Sequence, residues 1–277
     1  MILAAALAAA CTLPGGWAAV DAAQPRFVVL GEVHGTAETP ALTGAIACAL
    51  TKRRERLLVA LEQNAIDDPA LQAAWRLEPA AFATAVPGAL HWRGRQDGMA
   101  SAAMRALLVR LHALARAGHA IDVVAFSGTV DAAQDARFRH LPGQGPGEAA
   151  KAANITRTAA RGRYDRVLVL VGNLHAMKRP VGTGRAAFKP MAMLLPGRVT
   201  SLAVMNGAGA MWNCVEKDGE PDKVECGASP TTGMNGFDRL KAPAAVLGVP
   251  SAIPAEHFPF DGYLWIGPVT ASPPATP

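Results

Sequence analysis

Two short segments carry most of the residues that could do chemistry in this 277-residue chain. The first is Gly31-Glu32-Val33-His34-Gly35, which follows the apolar run Phe27-Val28-Val29-Leu30. The second is Gly172-Asn173-Leu174-His175-Ala176, which follows Arg166-Val167-Leu168-Val169-Leu170-Val171. Each sets a histidine three positions after a glycine. A carboxylate two residues from an imidazole can bind a metal, orient an attacking water or share a proton, and a second imidazole can complete the site by ligation or by stabilising an oxyanion. Glu62, after Leu57-Leu58-Val59-Ala60-Leu61, adds a carboxylate suited to general-base work. A lone strand-end histidine is more often a structural hydrogen-bonding residue, and a lone Glu62 could equally be an acid favoured by a helix dipole. Two histidines after similar strands, with a strand-end glutamate beside them, favour a site.

The elements that must position these residues follow from the hydrophobic pattern. Apolar, β-branched runs ended by glycine predict buried strands, and in open α/β sheets ligands bind at the strand C-termini. Ile121 to Phe126 and Val199 to Met205 are further strands. Between them the sequence predicts helices over Thr36 to Leu50, with Thr39-Pro40 as N-cap and first-turn proline, and over Asp67 to Trp75, Met99 to Ala117 and Glu148 to Arg161. Strands alternating with helices give an α/β fold with a mainly parallel central sheet flanked by helices. The Gly- and Pro-rich remainder reads as a C-terminal hairpin region, and Ser272 to Pro277 as a disordered tail. His91 to Gly98 is a polar, aromatic-bearing loop able to lie over a site, and its Arg93, Arg95 and Asp97 fit either a surface ion-pair network or a substrate clamp. His112 and His119 are expected in surface or capping roles, and Met211 and Trp212 in core packing.

With 51% hydrophobic residues the chain can fill one sizeable core, so residues 24–270 are expected to form a single domain, followed by the tail at 271–277. The net charge of +5 is scattered, and its only dense run, Lys52-Arg53-Arg54-Glu55-Arg56, falls at a helix end where a solvated face is expected. Aromatics make up 5% and do not interleave with the basic residues, which argues against a nucleic-acid partner. The block Met1 to Cys11 is too short to span a bilayer and matches a signal-peptide h-region, so residues 1–23 are assigned to an export segment and the chain to the periplasm or envelope. Leu7-Ala8-Ala9-Ala10-Cys11 also resembles a lipobox with Cys11 as the lipidated, membrane-attaching residue; cleavage after Ala8-Ala9-Ala10 or near Ala22-Ala23 is the alternative. Cys48 is expected as a lone buried thiol, and Cys214 and Cys226, flanking a polar turn, as a disulfide.

The segments Val29 to Gly35, Ala60-Leu61-Glu62 and Val169 to Ala176 together resemble the superfamily that unites ChaN-like haem-binding lipoproteins, TIKI/TraB-type metalloproteases and erythromycin-esterase-like hydrolases. The resemblance runs from about Phe27 to Met205. It implies that Glu32, His34, Glu62 and His175 are site residues, that Arg95 is a basic residue binding a cofactor or substrate, and that His34, His175 and Glu62 could ligate a divalent metal such as Mn, Co or Zn. The activity it implies is hydrolysis of an ester or amide bond in a small molecule or peptide. Its other branch implies an envelope lipoprotein that binds haem or iron without catalysis. Haem-binding members are expected to use a tyrosine, and only Tyr164 and Tyr263 are present. Tyr164 precedes a strand on the side away from the histidines and Tyr263 lies near the C-terminus, which disfavours ligation through tyrosine; His91, His112 or His140 could serve as iron ligand instead.

Overall fold

A parallel sheet is covered on both faces, so its strands are apolar at nearly every position. That is the character of β1 (Phe27–Glu32), β2 (Leu57–Asn64), β3 (Ile121–Ser127), β4 (Arg166–Gly172) and β5 (Val199–Met205). The computed structural model describes residues 11–217, 220–233, 240 and 242–276. Helices in chain order are α1 (Trp17–Ala22), α2 (Glu38–Lys52), α3 (Asp68–Trp75), α4 (Pro79–Ala89), α5 (Ala102–Arg116), α6 (Ala132–Phe138), α7 (Gly145–Arg161), α8 (Asn173–Ala176) and α9 (Met191–Leu194). The last strands are β6 (Gly209–Lys217), β7 (Glu220–Thr231), β8 (Ala244–Leu247) and β9 (Gly262–Trp265).

The main sheet has seven strands in the order β3-β2-β4-β1-β5-β9-β8, parallel except for the β8 edge, and β6-β7 form a separate antiparallel hairpin. The expected α/β fold is therefore present. The C-terminal region is not all hairpin and coil, because β8 and β9 extend the main sheet. Alternate strand residues feed two cores. Val28, Leu30, Val59, Leu61, Leu168 and Leu170 pack with Ile46, Leu50, Leu107 and Leu111 on one face. Phe27, Val29, Leu58, Ala60, Val167 and Val169 pack with Ile155, Ala159 and Met191 on the other. Each such large side chain contributes roughly 1.5–3 kcal/mol on burial, more than an exposed ion pair such as Arg53 with Asp21.

Helix starts differ from the sequence pattern by a few residues. α2 begins at Glu38, so Thr39 lies inside the first turn rather than at the cap, and its Oγ1 is 3.0 Å from Thr36 Oγ1. α5 is capped by Ser101, whose Oγ accepts from the Met104 N–H, and Gly118 at φ +91° follows its end. α7 begins at Gly145, three residues before Glu148.

The first and last described segments are both integrated into the fold. The apolar block 1–10 lies outside the described residues, but residues 11–23 belong to the fold although the composition suggests an export segment there. Trp17 and Val20 are buried in the core, and Gly15 exchanges backbone hydrogen bonds with Pro243 and Ala245. The tail expected to be disordered is ordered through residue 276. Ser272 N–H donates to the Gly35 carbonyl, Ser272 Oγ accepts from the Ala103 N–H, and Ala275 N–H donates to the Ala100 carbonyl. Deleting residues 271–277 removes several such bonds at about 1 kcal/mol each, so denaturant unfolding should show a loss of about 2–4 kcal/mol; unchanged stability would contradict a structural tail.

Cys48 is not a lone thiol. It is bonded to Cys11, and Cys214 is bonded to Cys226 across the hairpin as its spacing suggests. The Cys11 sulfur is the atom that lipidation would use, so the two fates compete for it. Two disulfides using all four cysteines fit an oxidising, exported location. Among the described residues no helix is long and apolar enough to cross a membrane.

Candidate active site

Strand register brings three strand ends together. β4 lies between β1 and β2, with Glu32 opposite Gly172 and Leu61 opposite Leu170, so Glu32, Glu62 and the Gly172 turn stand side by side at the C-terminal edge. β4 enters late in the chain between two earlier strands, and such a topological switch is where open α/β sheets bind ligands. Directly after Gly172, the single turn α8 folds His175 back over the edge. Gly31 permits this: a Cβ there would stand 2.6 Å from Ala176 Cβ. The turn after His34 needs Gly35, whose φ is +96° and where any side chain would collide with the Trp212 carbonyl. The Gly35 carbonyl accepts from Trp212 N–H and Ser272 N–H at 2.9 and 2.8 Å, fixing the turn from the hairpin and the tail.

Four side chains named by the sequence pattern, Glu32, His34, Glu62 and His175, converge. His34 Nδ1 is 3.0 Å from Glu32 Oε1, and its Nε2 is 3.4 Å from Glu62 Oε2. His175 Nε2 is 3.2 Å from Glu62 Oε1. The Gly172 N–H also donates to Glu62 Oε2 at 2.7 Å. Glu62 is thus a strand-end residue aimed between two imidazoles, not a helix-terminal acid.

Two further members lie on α7. Glu148 Oε1 is 2.6 Å from His175 Nδ1, and its Oε2 accepts from the Met191 N–H at 2.7 Å. Lys151 Nζ stands 3.5 Å from Glu148 Oε1 and 3.9 Å from Glu62 Oε1. The sequence held a signal for both. The buried stripe of α7 includes Glu148, Lys151, Ala152, Ile155 and Ala159, so a carboxylate and an ammonium occupy positions where a helix ordinarily places apolar residues.

Three carboxyl groups and three basic groups therefore alternate along one chain of contacts, from Glu32 through His34, Glu62 and His175 to Glu148 and Lys151. Burial alone would push the His34 imidazole down, but hydrogen bonds to Glu32 and Glu62 and their charges outweigh it and hold His34 up at about 10. Burial is likewise overcome at His175, where Glu148 and Glu62 hold the ring at about 9 against the opposing charge of Lys151. For Glu62 burial works upward, but the hydrogen bonds and charges of His175 and His34 hold its carboxyl well below the usual carboxylate range. At neutral pH this is an ionised carboxylate between two imidazoliums.

The Nε2 atoms of His34 and His175 stand 3.4 and 3.2 Å from the Glu62 carboxylate, a donor set that would take a divalent cation only with both rings deprotonated, and Lys151 adds positive charge beside the same carboxylate. Among the described residues no group of three or more His, Cys, Asp or Glu side chains is arranged to hold a metal. The residues considered as haem ligands lie apart from this group in sequence and in their contacts. His91 Nδ1 is held by Asp67 at 2.7 Å, and Tyr164 OH donates to Asp122 at 2.8 Å. His112 is buried rather than at the surface, stacked on Phe82 at 4.1 Å with Nε2 3.2 Å from the Trp75 carbonyl. His140 lies exposed after α6.

Arg95 is bound to Asp97 through two hydrogen bonds of 2.9 and 3.1 Å, and Asp97 Oδ1 caps the turn at Met99 and Ala100. This is a partly buried structural pair; none of its hydrogen bonds or ion pairs reaches the Glu/His group. Its loop does border the site. Gly98 packs on the His34–Gly35 backbone, and Gln63 at the end of β2 accepts from Trp92 Nε1 and donates to the Met99 carbonyl. Trp212, half-buried on β6, donates from Nε1 to the Gln96 carbonyl, so it closes the loop down rather than filling the core.

No family model and no curated protein matches the sequence. Solved structures match the fold. An erythromycin esterase, EreC, captured as a mutant in its open conformation, shares 12% identity over 89% of this chain and 91% of that chain, with a TM-score of 0.61. A succinoglycan biosynthesis protein shares 10% identity over 95% and 94% of the two chains at a TM-score of 0.59. A protein from Bacillus cereus shares 13% identity over 93% and 92% at 0.57.

Proposed function

We propose that this chain is an exported hydrolase that cleaves an ester or amide bond at the Glu62–His34–His175 group. The observation that carries the reading is the pair of imidazoles, each anchored at Nδ1 by a buried carboxylate and each aiming Nε2 at Glu62. A carboxylate on Nδ1 fixes the ring and its protonation for acid–base work, as in other carboxylate–histidine pairs. The fold shared with an erythromycin esterase supports the same class of chemistry.

A substrate carbonyl oxygen entering between the rings draws their Nε2–H donors away from Glu62. Those donors then stabilise the oxyanion as it forms. Glu62, relieved of the groups that hold its basicity down, takes a proton from water, and the hydroxide adds to the carbonyl carbon. Collapse of the tetrahedral adduct breaks the ester or amide bond, and the leaving oxygen or nitrogen takes a proton from an imidazolium or from protonated Glu62. Glu32 and Glu148 orient the rings throughout.

This scheme needs Glu62 ionised and the imidazoles protonated, which fixes the sign of the pH dependence. Measured on an activated ester such as p-nitrophenyl acetate, kcat/KM should be flat through neutrality and fall as pH rises through about 9, where His175 loses its proton. A rate that climbs steadily through pH 9 after correction for hydroxide would mean a neutral imidazole is the base, and would overturn the assignment.

A further inference from the structure

The elements that carry Glu148 and His175 also border an apolar cleft of about 510 Å³, lined by Leu141, Gly145, Pro180, Phe188, Lys189 and Leu194 among others. Resting on the hydrolase reading above, we infer that this cleft receives the apolar limb of the substrate and that the substrate is an amphiphilic anion whose charge pairs with Lys189.

Three features carry this. The elements that line the cleft also build the site. Gly145 is one turn before Glu148 on α7, Pro180 follows α8 and its His175, and Phe188 and Lys189 lead into α9, whose first N–H binds Glu148. A ligand in the cleft therefore abuts the scaffold of one imidazole. Second, the lining is apolar and open, and Leu194, one of its residues, is 37% exposed. Pockets of this size and character ordinarily bury a small organic ligand. Third, among the described residues Lys189 makes no ion pair. A cation at the edge of an apolar cleft discriminates for a carboxylate or phosphate on an otherwise apolar molecule.

The test is calorimetric titration of the whole chain with octyl phosphate and with 1-octanol, alongside kcat/KM for p-nitrophenyl acetate and p-nitrophenyl octanoate. L194D should weaken both octyl ligands at least tenfold, with L194A intermediate. K189E should weaken octyl phosphate at least tenfold and leave 1-octanol within twofold. The octanoate ester should be preferred over the acetate ester at least tenfold, and L194D should bring that preference below twofold. Leu194 is at the surface, so its variants test the cleft without emptying a core; equal melting temperatures check this. Octyl-ligand binding that is absent at millimolar concentration, or the same in L194D as in the parent, overturns the inference. Ester hydrolysis with no chain-length preference and no octyl binding removes the cleft and leaves the hydrolase. Leu194-dependent octyl binding in a chain that hydrolyses no ester does the reverse.

Discussion

Replacing Glu62 by glutamine should lower kcat/KM for ester hydrolysis by about 10²–10⁴-fold, the usual range for loss of a positioned acid–base group. The variant nearly preserves shape and can still accept the Gly172 N–H, so the fold need not change. What it removes is the anion between two imidazoliums and Lys151. Because Glu62 is one of the two groups holding each imidazole up, both ring pKa values should fall together toward the ordinary 6.5, a coupled shift that a merely structural residue would not produce. Side-chain NMR titration reads it directly. Glu62→Gln with wild-type turnover, or with either imidazole titrating as before, would remove Glu62 from the chemistry. His34 and His175 act through the same carboxylate, so single losses should not add when variants are combined.

Glu148→Ala should be the most destabilising single change in the site. Glu148 is 1% exposed and accepts from His175 Nδ1, the Met191 N–H and Lys151. Its removal leaves the buried Lys151 ammonium and the partly buried His175 imidazole with Glu62 as their one remaining carboxylate, and breaking a buried ion pair from one side costs about 3–5 kcal/mol. For a domain of this size that corresponds to a fall in Tm of roughly 6–20 °C. Glu148→Gln, which retains an acceptor, should recover part of the loss. The sign with pH follows from the raised imidazole values. The stabilisation from His34 and His175 is complete below about 6.5 and is lost as pH rises through about 9 and 10. Glu62, held low, contributes above its usual range and loses that contribution on acidification. In Glu148→Ala the alkaline limb of activity should also move to lower pH, because His175 has lost one of its two carboxylates. A wild-type Tm and an unmoved limb together would show that Glu148 neither supports nor tunes the ring.

Much of this is legible in the amino-acid sequence. Five largely apolar runs, each ended by glycine or a polar residue, mark β1 to β5, because strands covered on both faces leave few polar positions to confuse the pattern. The same pattern places Glu32, His34, Glu62 and His175 at strand ends. It does not say that β4 inserts between β1 and β2, and that insertion is what makes the four side chains meet. Glu148 and Lys151 were hidden because a polar residue on a helix is ordinarily solvated; only their position on the apolar stripe of α7 sets them apart. The ordered tail was missed because its bonds to Gly35, Ala100 and Ala103 are backbone-dominated and far apart in sequence. The apolar block Met1 to Cys11 suggests an export segment over residues 1–23, but the sequence carries no trace of the core contacts of Trp17 or of the Cys11–Cys48 bond.

The proposed hydrolysis of a carbonyl compound rests on two carboxylate-anchored imidazoles and Glu62. Its most direct test is the rate of ester hydrolysis by the purified chain, compared with His34→Ala and His175→Ala variants shown to be folded by their melting curves. Hydrolysis that falls by about 10²-fold or more in each variant is the predicted result. Hydrolysis at the parent rate in both would place the activity elsewhere and contradict the site.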